Sequence, residues 1–531
     1  MSTENSTAIY RPGINAILHR HEQMSAWLFF TIMSFLVMRF GVSPTSLNMD
    51  MRFDYDTNIY YLIGNGWMNG VMPYAELSDL KGPLLFLEHG IGSLLTPGSH
   101  CGVALLHCSL LGIWMLYSLK TASLFVRRST AWALTGILFI YCLYMAAGPA
   151  ELTMTLQTVS LYHVLVWTRG KKERFADRHL FIVGLSVAVA LLSKFNQVVF
   201  WVPVAILMLW VNREHLLRSI GMMIAGFTPL ILITVLYFYS TGTLAALWEE
   251  YIMTALRYGS VPWAESSFAT QHLKLISNIM PEHVRQVIPW GWLVVPGALL
   301  LFMWVRPFRK IRRERKRAAL LTLWAAFLLG AYANFGGRHA FLHYYFYYYP
   351  FALMSLVGME LVLRRQLRNR STRRILRGVG LMTPFATLLV GLSIPVFVNA
   401  FKSSKGVAAL RENMSGMKDF LTPHKDDYLL IDTTNYLALY RHTGTIPPIK
   451  HFIPQLTPDG EAVFCTELTE HVRNKHPKYL VGNAGDTEKC LSIIRNSGVP
   501  YRRLDNCKEA GLPPMPATSN YPAPAIFERI D

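Results

Sequence analysis

The stretch from Phe53 to Pro83 holds the densest set of chemically active side chains in this sequence. Aromatic residues, glycines and prolines are interleaved there with five charged residues, which are Asp54, Asp56, Glu76, Asp79 and Lys81. A carboxylate is suited to removing a proton from an acceptor hydroxyl, and a lysine to neutralising a phosphate as a point charge. A plain connector between membrane helices does not need this density of acidic, aromatic and turn residues. We therefore predict an active-site loop at a membrane surface.

Two carboxylates compete for the role of base in this loop. Asp54 and Asp56 are two residues apart, so they share one face if the segment is extended. Asp56 also precedes a helical pattern (TNIYYLIGNGW), where aspartate is a favoured N-cap. Capping and catalysis do not exclude each other, and the residues alone leave the choice between the two acids open.

Basic residues offer the matching positive charge. Lys81, in DLKGP, is placed to hold a lipid phosphate or, alternatively, to pair with lipid headgroups as an ordinary interfacial lysine. A second segment, NFGGRHAFLHYYFYYYP (334–350), contains Arg338, which is suited to bidentate phosphate binding. Its tyrosines, Tyr344 among them, are typical of an interfacial aromatic belt, but a belt does not account for Arg338, His339 and His343. The two histidines have an i,i+4 spacing that a metal could use, yet no spacing demands one.

Three further polar positions interrupt apolar runs. Glu151, in AAGPAELTM, either contacts a substrate hydroxyl or stabilises the helix dipole. Lys194 and Asn196, in SKFNQ, are loop residues or substrate ligands. The 240–288 segment contains LAALWEEYIMTALRYG, which predicts an amphipathic helix on the membrane carrying Arg257.

The composition defines the setting of these residues. The chain has 531 residues, of which 52% are hydrophobic and 16% charged, with a mean hydropathy of +0.27. These values indicate a polytopic membrane protein. The net charge of +18 comes from lysines and arginines in short gaps between apolar runs. The positive-inside rule accounts for that pattern better than nucleic-acid binding does.

About eleven apolar runs are long enough to span a bilayer. The first is Ala26–Phe40, and the others lie at about 101–119, 131–147, 152–167, 180–192, 198–211, 219–239, 289–305, 318–333, 344–362 and 376–399. Leu84–Leu95 is too short and predicts an interfacial helix. Basic gaps alternate with gaps poor in positive charge, which places residues 1–25 in the cytoplasm and the C-terminus outside. The loop 48–100, the Glu151 turn, the Lys194 turn and the Arg338 loop then share the outer face.

Residues 401–531 differ in composition from the membrane part (26–400) and predict a small extracytoplasmic α/β domain. YLLID (428–432) and KYLVGN (478–483) predict buried strands, and EKCLSIIRNSG (488–498) predicts a helix that ends at glycine. The proline-rich end, Pro513–Pro524, predicts no regular structure. The six cysteines show no metal-ligand spacing such as CxxC.

Residues 25–400 resemble the integral-membrane GT-C glycosyltransferases, which include protein O-mannosyltransferases and the aminoarabinose transferases of lipid A. The resemblance lies in Asp56 within DTNIYY, in the following GNGWMNGVMPY, in Lys81-Gly82-Pro83, and in GGRH…HYY…P at 336–350. Protein O-mannosyltransferases carry Asp-Glu at the first motif, whereas Thr57 follows Asp56 here. That difference argues against this subgroup.

The resemblance implies a multi-pass enzyme of the bacterial plasma membrane that transfers a sugar from a polyprenyl-phosphate-linked donor to a glycan, lipid or protein acceptor at the outer face. It implies inversion, with Asp56 or Asp54 as base. No cofactor is expected, and dependence on a divalent metal is left open. Donor-phosphate contacts are expected from Lys81, Arg338 and Arg257, and substrate contacts from Tyr60, Tyr74, Asp79, Glu151, His339, His343 and Tyr344. The alternatives are a transporter or flippase of lipid-linked sugars, a scaffold protein, and a polymerase or ligase of lipid-linked glycans.

Overall fold

The structure is a computed structural model. It describes residues 14–40, 55–139, 148–170, 173–260, 313–335, 347, 349–366, 414–431, 433–454, 459–483, 487–504 and 524–530. The predicted spans at 289–305 and 376–399 lie outside these residues. So do five predicted site residues, which are Asp54, Arg338, His339, His343 and Tyr344.

The described chain is mostly helical. Its first nine helices are α1 Ile14–Phe40, α2 Tyr55–Met68, α3 Pro83–Leu95, α4 Cys101–Ser123, α5 Arg128–Phe139, α6 Pro149–Arg169, α7 Asp177–Leu191, α8 Trp201–Val211 and α9 Leu216–Ser240. A helical stretch follows, built from α10 Leu244–Leu247, a π-helix at Trp248–Met253 and α11 Thr254–Ser260. The later helices of eleven residues or more are α12 Arg313–Phe335, α13 Tyr349–Gln366, α14 Gly460–Lys475 and α15 Thr487–Ser497, and two short helices lie at Thr433–Tyr436 and Ala438–Thr443.

Two of the described helices, Cys101–Ser123 and Arg213–Ser240, are long and apolar enough to cross a membrane by length and composition. The predicted number of spans stays a prediction. The predicted short helix forms as α3, with Pro83 in its first turn. At 13 residues it measures about 20 Å, less than the hydrocarbon thickness.

The first half of the predicted active-site loop is helical. Asp56 lies in the first turn of α2, so the extended alternative is wrong at Asp56 and the helix predicted to follow it forms. The helix forms because Ile59, Leu62 and Ile63 recur at helical spacing and are all buried. The irregular part of the loop is therefore confined to residues 69–82.

The buried apolar residues form two cores. One joins α1 and α4–α8 with α12 and α13. The other contains Tyr60 and Leu62 of α2, Tyr74 of the loop and Tyr251 of the π-helix, together with the C-terminal domain. The predicted active-site loop therefore packs in one hydrophobic core with the C-terminal domain.

The C-terminal domain carries a four-stranded sheet of β1 Tyr428–Leu430, β2 Tyr479–Asn483, β3 Tyr501–Arg503 and β4 Pro524–Arg529, in the order β1-β2-β4-β3. β1 and β2 are parallel, and β4 is antiparallel to both of its neighbours. The two predicted strands are confirmed as β1 and β2, and the predicted helix as α15, which Gly498 follows with φ +75°. The prediction of irregular structure is wrong at Pro524, because β4 begins there and buries Ala525, Ile526 and Phe527.

Candidate functional site

Five charged residues from four separate stretches of the chain gather in one place, which we call the acid–lysine cluster. The charges of Asp56, Lys81 and Glu151 all act on Lys194, and those of Asp56 and Lys81 act on Asp79. Asp79 and Lys81 approach to 3.9 Å. The members are Asp56, Asp79, Lys81, Glu151 and Lys194.

Backbone contacts join the Lys81 loop to the Lys194 turn. The amide of Gly82 donates to the carbonyl of Ser193 at 3.0 Å, and the amide of Leu84 donates to Leu192 at 3.0 Å. A Cβ atom on Gly82 would overlap the carbonyl of Leu192. Glycine is therefore required at this position so that the two backbones can approach.

Two tyrosines, Tyr74 and Tyr251, form hydrogen bonds with the Lys81 loop and the Lys194 turn. Tyr74 is fully buried, and its hydroxyl donates to the carbonyl of Lys81 at 2.6 Å. Its φ of 67° is unusual for a bulky residue and marks a backbone held by its surroundings. Tyr251 stacks on Tyr74, donates to Leu191 at 2.6 Å and accepts from the Phe195 amide at 2.9 Å. The structure thus gives Tyr74 a positioning contact to Lys81.

Lys81 lies between an acid and an aromatic ring. Its Nζ is 5.7 Å from the centre of the Tyr60 ring and 3.9 Å from Asp79 Oδ2. Burial raises the pKa of Asp79, whereas the charge of Lys81 lowers it and that of Asp56 raises it. Lys81 therefore stabilises the ionised form of Asp79, but burial outweighs it and the pKa of Asp79 is raised.

Lys194 is the buried lysine of the cluster. It is 8% exposed, and burial together with the charge of Lys81 lowers its pKa to about 7. Asp56 and Glu151 oppose this effect. A buried lysine that titrates near neutrality is a frequent mark of a functional site. From the sequence, Lys194 was either a loop residue or a substrate ligand. The one sequence feature that pointed to a role was its position as a basic residue in a gap otherwise poor in positive charge.

Glu151 lies in the first turn of α6 and is 1% exposed. Its Oε2 accepts from the Gly148 amide at 3.2 Å, which is the half of a capping box that the N3 carboxylate supplies. Glu151 therefore does stabilise the beginning of α6, as one of the two predicted roles required. The same carboxylate acts on Lys194, so the cap also contributes to the charge balance of the cluster.

The other predicted phosphate ligand in the described chain is Arg257. Its guanidinium is 57% exposed and forms an ion pair with Glu249 of the same helical stretch. Its predicted contact with a donor phosphate stays a prediction, as do the roles of Arg338 and the histidines beside it.

The C-terminal domain contacts the predicted active-site loop and the residues that follow it through buried polar contacts that the sequence did not predict. Arg441, which is 2% exposed, donates to Asn58 Oδ1 at 3.0 Å and to the Gly98 carbonyl at 2.8 Å. Asn58 lies two residues after Asp56 in α2. The domain therefore holds the beginning of the helix that carries the candidate base.

A second junction forms around Glu250 of the π-helix. Glu250 accepts from the Ser78 hydroxyl at 2.8 Å, pairs with Lys450 at 2.5 Å and contacts His451 Nε2 at 3.2 Å. The other ring nitrogen of His451 lies 2.5 Å from Glu467. Because Ser78 directly precedes Asp79, this junction ties the C-terminal domain to the irregular loop. The sequence feature that could have indicated this junction is the acidic pair Glu249-Glu250 within an otherwise apolar helical segment.

Among the described residues, no three histidine, cysteine, aspartate or glutamate side chains lie close enough together to hold a metal ion. The acid–lysine cluster itself consists of carboxylates and ammonium groups. The expectation that the enzyme needs no cofactor stays a prediction.

Comparison with solved structures finds glycosyltransferases of the GT-C type. ArnT from Cupriavidus metallidurans bound to undecaprenyl phosphate aligns over 97% of this chain and 98% of its own, with a TM-score of 0.49 and 13% identity. The oligosaccharyltransferase of Archaeoglobus fulgidus, in complex with zinc and sulfate, aligns over 86% and 68%, with a TM-score of 0.47 and 14% identity. AglB from the same organism, with an inhibitory peptide and a dolichol-phosphate, aligns over 88% and 70%, with a TM-score of 0.45 and 12% identity.

No protein-family profile matches the sequence, and no curated protein matches it. At TM-scores below 0.5 the structural likeness is too distant to assign an activity to this chain.

Proposed function

We propose that this chain is a membrane glycosyltransferase that moves a sugar from a polyprenyl-phosphate-linked donor to an acceptor at the outer face of the membrane. The observation that carries the proposal is the acid–lysine cluster, in which Lys81 and Lys194 meet Asp56. Transfer from a phosphate-linked sugar needs a base for the acceptor and positive charge for the leaving phosphate. Both are present in one cluster.

In the proposed reaction, Asp56 takes the proton of the acceptor hydroxyl. The acceptor oxygen forms a bond to the anomeric carbon as the bond from that carbon to the phosphate oxygen breaks, with inversion. The electron pair leaves with the polyprenyl phosphate, whose new negative charge Lys81 and Lys194 neutralise. No acid is needed for the leaving group, because phosphate leaves as an anion.

Asp56 is the preferred base among the acids of the cluster for a physical reason. Its side chain is partly exposed, whereas Asp79 and Glu151 are 5% and 1% exposed. Asp79 is engaged with Lys81 and Glu151 with the Gly148 amide. An acceptor therefore has the easiest access to Asp56.

The test is donor turnover by purified protein in lipid vesicles, with a panel of radiolabelled polyprenyl-phosphate sugars. Asp56→Asn keeps the shape of the side chain but cannot take a proton, so we expect a loss of about 10²- to 10⁴-fold in transfer rate. Asp177→Asn, at the beginning of α7, is the matched control and should retain wild-type activity. A fully active Asp56→Asn protein would overturn the assignment of the base.

The same assay separates the transferase from a transporter or flippase. A transferase releases polyprenyl phosphate in step with glycosylated acceptor. Movement of the intact donor across the vesicle membrane, with no turnover under any acceptor condition, would overturn the proposed function.

A further inference from the structure

A second group of polar side chains lies far from the acid–lysine cluster. It comprises Tyr117 and Lys120 near the end of α4, Tyr162 and His163 of α6, and Arg178 and His179 at the beginning of α7. From Cys101 to Lys120, α4 rises about 28 Å, close to the thickness of the hydrocarbon core. Glu151, by contrast, lies in the first turn of α6, and Lys194 follows the end of α7, at whose beginning Arg178 lies. The two groups therefore occupy opposite ends of the same helices.

The rings of this second group form a continuous packed row. Tyr117 and Tyr162 meet edge to face at 5.3 Å, and Tyr162 and His163 at 5.4 Å. His163 then stacks on His179 at 4.6 Å with an interplanar angle of 29°. The row is rigid enough to hold polar atoms in fixed positions.

Two positive charges lie on this row. Lys120 Nζ lies 4.5 Å from the centre of the Tyr117 ring and 4.9 Å from that of Tyr162. Arg178 donates through Nε to His179 Nε2 at 3.3 Å, and its charge acts on Lys120 and on His163. Among the described residues no carboxylate forms an ion pair with either cation, and the neighbouring Asp177 pairs with Arg218 at 2.6 Å.

A buried histidine completes the group. His163 is 7% exposed, and neither of its ring nitrogens has a hydrogen-bond partner in the described part of the chain. A neutral imidazole always carries one N–H donor, and buried donors are normally satisfied. The group therefore combines two cations that share no acid, one buried donor that lacks an acceptor, and two phenol side chains.

We propose that this group is a binding site for a phosphate headgroup. Arginine binds phosphate oxygens in pairs, and lysine adds a point charge. Such a phosphate comes from an anionic lipid of the leaflet opposite to the acid–lysine cluster, or from a soluble phosphate compound. The proposal does not depend on the function proposed above.

The test uses delipidated full-length protein, titrated with phosphatidylglycerol, with phosphatidylcholine and with inorganic phosphate, and followed by native mass spectrometry. Each cation near a membrane phosphate accounts for about a fivefold change in affinity, so Lys120→Gln/Arg178→Gln should bind phosphatidylglycerol about 25-fold more weakly. Arg213→Gln, an exposed cation beside Trp210, should change that affinity less than about twofold.

The charge-preserving variant Lys120→Arg/Arg178→Lys guards against misfolding and should bind phosphatidylglycerol within about threefold of wild type. Equal binding by wild type and the Gln/Gln variant would overturn the proposal, as would an equal loss in Arg213→Gln. Saturable inorganic phosphate binding that the Gln/Gln variant loses would support the site and assign it to a soluble phosphate.

Discussion

The backbone amide of Gly82 donates a 3.0 Å hydrogen bond to the carbonyl of Ser193, and this contact places Lys81 next to Lys194. The two lysines belong to different stretches of the chain. Lys81 directly precedes Gly82, and Lys194 directly follows Ser193. Two positive charges side by side are costly unless acids or a bound anion compensate them. Here Asp56, Asp79 and Glu151 supply part of that compensation, and a donor phosphate would supply the rest.

Gly82→Ala should disrupt the cluster without touching any of its side chains. The added methyl group overlaps the Leu192 carbonyl, so the two backbones must move apart. We expect a destabilisation of about 1–3 kcal/mol and a loss of transfer of at least about tenfold, measured by thermal unfolding and by donor turnover. Gly221→Ala is the control, since a Cβ there meets nothing within 4 Å. Wild-type activity of Gly82→Ala would mean that the close approach is not needed.

The pH profile of donor binding should report Lys194. Because the pKa of Lys194 is lowered to about 7, its positive charge is present below that pH and is lost above it. The affinity for a phosphate-linked donor should therefore fall as the pH rises through about 7, seen as a rise in KM for the donor. Lys194→Arg keeps its charge at every accessible pH and should show no such rise. An identical profile in the two proteins would exclude Lys194 as the titrating group.

The docking of the C-terminal domain should also depend on pH. Burial lowers the pKa of His451, but its hydrogen bonds to Glu250 and Glu467 outweigh burial and raise it to about 9. A raised pKa means that the stabilisation is complete below 6.5 and is lost as the pH rises from 6.5 to about 9. For Glu250, burial raises the pKa but its partners lower it to about 2, so its contribution is complete above 4.5 and is lost on acidification.

Limited proteolysis of the C-terminal domain across this range measures the effect. Protection should be greatest between pH 4.5 and 6.5 and should decline towards pH 9. His451→Gln should remove the alkaline decline, at a cost of about 2 kcal/mol in the free energy of unfolding. His215→Gln, an exposed histidine outside the junction, should behave like wild type. A decline that persists in His451→Gln would assign the pH dependence to another group.

The sequence predicted part of this arrangement for identifiable reasons. The types of residue at Asp56, Lys81 and Glu151, with the alternation of basic gaps, indicated which turns share one end of the helices. In the C-terminal domain, short apolar runs and a glycine after the helix were enough to place β1, β2 and α15. Local patterns of this kind predict secondary structure without knowledge of distant contacts.

What the sequence did not predict depends on contacts between distant segments. Arg441 and Asn58 are 383 residues apart, and nothing in either local sequence indicates the other. The burial that shifts the pKa of Lys194 likewise arises only when Gly82 packs against Leu192. One interpretation placed Asp56 in an extended segment because Asp54 lies two residues before it. The helical spacing of the buried residues Ile59 and Leu62 favoured a helix instead.

The most direct test of the acid–lysine cluster is the equilibrium binding of undecaprenyl phosphate to the full-length protein. It requires neither the sugar nor the acceptor to be known. We predict that Lys81→Gln/Lys194→Gln binds this lipid about 25-fold more weakly than wild type. Lys489→Gln, which removes a lysine paired with Glu461 in the C-terminal domain, should bind it normally. Equal affinity of wild type and the Lys81→Gln/Lys194→Gln protein would contradict the account.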